Sequence, residues 1–105
     1  MKIIVNNIIP VKGFAAINLF GILFVRKGVS ITDRLIRHES IHTKQMKELL
    51  YVSFYILYVL EWLVKLCFYG SKAYRNISFE REAYSNQHDV DYLGNRRHFS
   101  FLKYI

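Results

Sequence analysis

From Asp33 to Tyr51 the chain runs without a glycine or a proline. Straight-chain and charged residues dominate this stretch, so its backbone is committed to a helix. Gly28 breaks the apolar run before it. Ser30 or Thr32 offers an N-cap hydroxyl, and Asp33 puts a negative charge in the first turn, where the helix dipole favours it. A helix of this length in a chain of 105 residues sets an axis that everything else must pack against.

The middle of that helix carries His38-Glu39-Ser40-Ile41-His42, the pattern H-E-x-x-H. Residues four apart lie on one face, so His38 and His42 can aim two imidazoles at one metal ion. Glu39 sits about 100° around the helix and can reach a water held by that ion as general base. Two histidines are half a site, because a catalytic zinc takes three protein ligands and a water. Gln45 and Glu48 stand where H-E-x-x-H-x-x-G-x-x-H needs Gly and His, so that longer pattern is excluded. Glu80, Glu82, His88, Asp89, Asp91 and His98 are the candidates for the third ligand.

Residues before the helix read as strands. Lys2–Val5 is a short strand followed by an Asn6-Asn7 turn, and Val11–Arg26 holds one or two mostly buried strands punctuated by Gly13 and Gly21. Leu49–Tyr69 is a second, apolar helix. Its uncharged run stops at Glu61, short of the roughly 20 residues of a membrane span, and Glu61–Lys65 is an i,i+4 pair in the favourable order. The reading is a buried core helix, with an interfacial or spanning helix as the alternative. Tyr51, Tyr55, Tyr58, Trp62 and Tyr69 support that alternative, because such rings favour the headgroup zone. Gly70 ends the helix, Ser71–Ser78 is a polar connection, and Ser78 caps a last helix running from Phe79 to Gly94. The basic, aromatic tail from Asn95 packs back on the domain.

Composition bounds the rest. Apolar residues make up 52%, enough for a core and too many for a disordered chain. Cys67 is the only cysteine, which excludes an internal disulfide, suits a reducing compartment and reads as a small buried hydrophobe. Phe14–Val25 is followed by Arg26-Lys27 and has no small-x-small cleavage site, so no secretory signal is expected. The formal charge of +7 is scattered, with no nucleic-acid motif, so no nucleic-acid partner is expected. A solvated basic surface is the plain reading, and attraction to anionic lipid is the other.

Glu80-Arg81-Glu82-Ala83-Tyr84 matches E-x-x-A at the start of the last helix. With H-E-x-x-H upstream, the chain resembles the gluzincin zinc metallopeptidases, and in size and element order their minimal members, the minigluzincins. The resemblance covers roughly Phe14 to Gly94 and rests on those two short motifs. It implies one Zn2+ held by His38, His42 and Glu80, with Glu82 the alternative ligand, and Glu39 as general base. It also implies an edge strand that binds extended substrate, at Ile22, Leu23, Phe24 and Val25, and a peptide or protein as substrate. Transition-state stabilisers fall to Tyr84 or His88. The family's aspartate four residues after the ligand, which orients a zinc-bound His, is Tyr84 here. The expectation is therefore one α+β, mainly α, domain over residues 1–105. It has a small N-terminal sheet or hairpin, a long active-site helix, an apolar second helix and a glutamate helix. The function expected is a zinc metallopeptidase, cytoplasmic, either free or peripheral to a membrane; the alternative is a non-catalytic basic helical protein on a membrane surface.

Overall fold

The computed structural model describes residues 1–105. It is mainly α with one small sheet, as expected. Three strands, β1 (Lys2–Asn6), β2 (Ala16–Leu19) and β3 (Ile22–Arg26), form a sheet in the order β1-β3-β2. β3 pairs parallel with β1 and antiparallel with β2. Strand β3 is thus central, and Leu23 and Val25 on it are fully buried. This corrects the expectation that Ile22, Leu23, Phe24 and Val25 form an edge: both of their backbone sides are already paired. The free edge near the helices is β2. Hairpin β2–β3 turns through Phe20 and Gly21, both at positive φ, the handedness that suits a two-residue hairpin loop. The Tyr55 hydroxyl pins that turn by accepting Phe20 N–H (2.9 Å) and donating to the Asn18 carbonyl (3.1 Å).

Helix α1 spans Asp33–Glu48, with the Thr32 hydroxyl accepting Leu35 N–H as its N-cap. It stops three residues before the expected Tyr51. Leu50 N–H bonds to Lys47 O and Tyr51 N–H to Met46 O, a Schellman closure with Leu50 at φ +57° where glycine is usual. Because no glycine marks this stop, composition alone runs the helix on. Helix α2 (Val52–Tyr69) follows at once.

The buried core-helix reading of Leu49–Tyr69 is overturned. Phe54 is the one buried residue of α2, while Leu60, Leu63, Val64 and Phe68 face outward. Cys67, expected to be buried, is exposed on that outer side. The 21-residue span Val52–Lys72, which contains an 18-residue window of mean hydropathy 1.5, is long and apolar enough to cross a membrane by length and composition. The inner stripe of α2 holds Phe54, Tyr55, Tyr58, Glu61 and Lys65, so Tyr55 and Tyr58 serve the protein interior and not a headgroup belt.

Helix α3 (Ser78–Asn86) follows two 3-10 turns at Gly70–Lys72 and Tyr74–Asn76. Ser78 is not its side-chain cap. Instead Glu61, reaching across from α2, accepts the Ser78 N–H and its hydroxyl, satisfying a first-turn donor from a distance. The helix ends at Asn86, not at Gly94. Asn86 Nδ2 donates to Glu82 O (2.8 Å), Arg37 takes the Gln87 carbonyl (2.7 Å), and Gly94 lies in a separate short helix α4 (Tyr92–Asn95). The tail folds back as expected, through a 3-10 segment at Ser100–Tyr104. Its Phe101 meets Phe79 at 4.7 Å between ring centroids, joining a core of Met46, Phe54, Ile77 and Phe79.

Candidate metal centre

Three buried side chains from two helices converge on one point. On α1, His38 and His42 point the same way, as their spacing requires, and Glu80 comes from the first turn of α3. Glu80 Oε1 lies 3.1 Å from His38 Nε2 and 3.1 Å from His42 Nε2, and the two Nε2 atoms are 3.2 Å apart. The three could hold a metal ion.

Hydrogen bonds fix which ring nitrogens face the centre. Gln45 Nε2 donates to Phe79 O (3.1 Å) and Glu82 Oε1 (3.0 Å), so its Oε1 must be the acceptor facing His42 Nδ1 at 2.7 Å. Gln87 Oε1 faces His38 Nδ1 at 2.8 Å. Both imidazoles thus carry their proton on Nδ1 and turn an Nε2 lone pair inward, toward a carboxylate oxygen. Three acceptors in a triangle repel one another unless a cation sits among them. Without a metal, that cation is a proton. Burial opposes charge on His42, but Glu80, helped by Glu39 and Gln45, lifts its pKa to about 9. Burial likewise opposes charge on Glu80, yet the two histidines and Tyr58 hold its carboxyl well below the usual range.

The two glutamines supply the acceptors that the resemblance leads one to expect from an aspartate four residues after Glu80. Tyr84, at that position, makes no hydrogen bond to a ligand histidine; its ring lies edge-on to His38, 4.6 Å between centroids, under the Arg75 guanidinium. Gln87→Leu should therefore weaken metal binding about 10–100-fold, read by competition with a chromogenic chelator, with the fold intact by circular dichroism.

A cleft of about 690 Å³ opens beside the centre, and 11 of its 16 lining residues are hydrophobic. Glu39, His42 and Glu80 supply its polar floor. Burial raises the Glu39 pKa, opposed by the neighbouring histidines. Asn18 fixes the backbone here by donating to the Glu39 carbonyl (2.9 Å) and to Thr43 Oγ1 (3.0 Å). Along β2 the Ala15 carbonyl points to β3, where it accepts Arg26 N–H, whereas the Asn18 carbonyl points away. Since a strand's residues alternate, Ala16 N–H and C=O and Asn18 N–H face the open side.

Of the expected transition-state stabilisers, neither lines the cleft. Tyr84 sits behind His38, and His88, exposed beyond the end of α3, lies by Gln87. The tyrosines that do line it are Tyr55, Tyr58 and Tyr74, none of them singled out as site residues from the sequence. Tyr58 donates to Glu80 Oε2 at 2.6 Å, freeing Oε1 for the centre. Burial and the adjacent carboxylate push its hydroxyl far above the usual range, so it stays a donor. The signal was the i, i+3, i+4 stripe of Phe54, Tyr58, Glu61 and Lys65, the polar seam of an otherwise apolar helix. Gln45, three residues after His42 on the same face, was equally readable. Glu82, the alternative ligand, is fully buried but faces Gln45, Tyr92 and Arg96 instead.

The proton on His42 sets a pH dependence. A metal must displace it, so apparent affinity should drop about tenfold per pH unit below about 9, and about 100-fold from pH 8 to pH 6. Stability of the metal-free protein follows the same group. A pKa raised above 6.5 contributes stability that is complete below 6.5 and lost as pH rises through about 9. Melting of chelator-treated protein at pH 6.5 and pH 9.5 should show that loss, and metal-loaded protein should not.

Compared with known proteins, the chain matches no family model, no curated protein and no solved structure. What the chain offers instead is the site itself: a buried group of two histidines and one carboxylate that could hold a metal ion, of which His42 and Glu80 line an apolar cleft.

Proposed function

We propose that this protein is a zinc-dependent metallopeptidase of the gluzincin kind, with His38, His42 and Glu80 holding the ion. The observation that carries this is the ligand triangle. Tetrahedral zinc with bonds of about 2.0–2.1 Å places its ligand atoms about 3.3 Å apart, and the edges here are 3.1, 3.1 and 3.2 Å. The donor set of two neutral imidazoles and one carboxylate also suits zinc better than magnesium or calcium, which prefer all-oxygen sites.

Zinc there supplies a Lewis acid that polarises a carbonyl and acidifies water. Glu39, on the same cleft floor, takes the proton from the attacking water on its carboxylate and returns it to the leaving amine nitrogen. Its raised pKa brings it closer to that task than an exposed glutamate would be. Tyr58 and the two glutamines hold the ligands in register, so little reorganisation is needed during reaction. The open side of β2, at Ala16 and Asn18, can pair with extended peptide backbone, and the apolar walls favour hydrophobic side chains.

The test is incubation of the zinc-loaded protein with a mixed library of apolar and polar peptides, with new termini read by mass spectrometry. Cleavage beside hydrophobic residues, abolished by a chelator and restored by zinc, supports the reading. A zinc-loaded protein that cleaves nothing contradicts it.

A further inference from the structure

We infer that the outer face of α2 and the loop before β2 form a docking surface for an anionic lipid bilayer, on which the protein lies with α2 parallel to the membrane plane. The inference stands apart from the peptidase reading, since it uses no metal ligand.

The apolar face comes first. Residues of α2 from Val52 to Phe68 that face away from the domain cover an arc of about 200°. No charge lies within it. Leu60, Leu63 and Phe68 are 53%, 49% and 77% exposed. Across the mouth of the cleft, the loop preceding β2 exposes Ile8 (79%), Val11 (67%) and Phe14 (65%). On the helix side that cleft is bordered by Phe54, Tyr55 and Tyr58 of the inner stripe, and the outer arc is a separate apolar surface beside it. Isolated exposed leucines need no explanation, but a continuous patch of this size marks an interaction site.

The charge distribution says which partner. All five glutamates are half-buried or buried, and four of them are bonded to Arg96, Ser78, Tyr58 or the ligand histidines. The exposed acids are therefore only Asp33, Asp89 and Asp91, against ten exposed lysines and arginines. Lys72 and Arg75 stand just beyond the C-terminal end of α2, and Lys12 is in the loop itself. An uncharged apolar face flanked by cations complements acyl chains beneath anionic headgroups. A second copy of the chain would bring the same cations together at its rim.

The orientation follows from the inner stripe. Glu61 caps α3 and Tyr58 bonds Glu80, so α2 is tied along its length to charged, hydrogen-bonded elements. Standing α2 upright across a bilayer would carry those elements into hydrocarbon. Lying flat buries only the outer arc and keeps those elements in water.

The chain carries one native probe on this face, Cys67, the only cysteine, exposed near the middle of the outer arc. Full-length protein is floated with phosphatidylcholine vesicles, with and without phosphatidylserine. The expected result is binding that requires phosphatidylserine and falls with salt, with Cys67 shielded from a soluble maleimide. Leu60→Glu/Leu63→Glu should weaken binding by about tenfold or more. Circular dichroism and metal uptake should be unchanged in that variant, which separates lost docking from lost folding or a lost metal site. Lack of binding to anionic vesicles, or binding that leaves Cys67 as reactive as in solution, would overturn the proposal. So would resistance to alkaline carbonate extraction, which means spanning, or a vesicle-free dimer that the same double substitution dissociates.

Discussion

Glu39→Gln should lower peptide turnover by about 10²–10⁴-fold while leaving zinc content at the wild-type level. Glutamine matches glutamate in size but cannot take a proton from water. Nothing in the metal triangle depends on the Glu39 carboxylate, since His38 and His42 are oriented by Gln87 and Gln45. Loss of the negative charge removes one of the influences that raise the His42 pKa, so the proton that competes with the metal is bound less tightly. Zinc affinity in the variant should therefore hold or rise slightly. Paired measurements of kcat and zinc per chain separate the two roles. If activity and metal fall together, Glu39 acts on the site's integrity and not as its base.

Arg96→Met should destabilise the protein by about 3–5 kcal/mol at neutral pH, a large part of the 5–15 kcal/mol typical of a whole domain. The Arg96 side chain is 3% exposed and binds Glu48 through Nη1 (2.9 Å) and Nη2 (3.0 Å). Its Nε and Nη2 also bind Glu82, which has no exposed surface. Removal leaves two carboxylates with little water and, apart from the exposed His98 imidazole beside Glu48, no cationic partner. Burial alone would raise the Glu48 pKa; Arg96 and the Phe99 N–H reverse this and hold it low. A depressed carboxylate stabilises the fold above its ordinary pKa near 4.5 and loses that contribution as pH falls through the folded value. In the variant this contribution is gone, so its deficit should be largest at neutral pH and shrink below about pH 4.5. Urea titrations at pH 7 and pH 4 measure both. Metal affinity should weaken too, because Glu82 holds Gln45 and Gln45 orients His42.

The parts of the fold that were legible from sequence are those decided within one or two helical turns. The Thr32 cap, the shared face of His38 and His42, the Gly70 stop and the turn after β1 each follow from local chemistry. The Glu80 position came from a motif match, and the structure brings it to the histidines. What failed was decided elsewhere in the chain. Whether Ile22–Arg26 is an edge depends on β1 pairing beside it, which strand composition does not encode. The early end of α3 depends on Asn86, Gln87 and Arg37, and its cap on Glu61 in another helix. The apolar content of α2 was read correctly, but composition cannot distinguish a face buried in protein from one left open. Tyr58 supports the alternative of an interfacial helix when its ring is taken with the neighbouring aromatics, whereas its spacing with Glu61 and Lys65 marks an inward polar seam.

The central claim is that His38, His42 and Glu80 bind one zinc ion. Its most direct test is elemental analysis of protein purified without metal-affinity steps, beside His38→Ala and Glu80→Ala. The account predicts near-stoichiometric zinc in the wild type and its loss in both variants, each still folded by circular dichroism. A folded wild type that holds no zinc and takes up none when it is added would contradict the account.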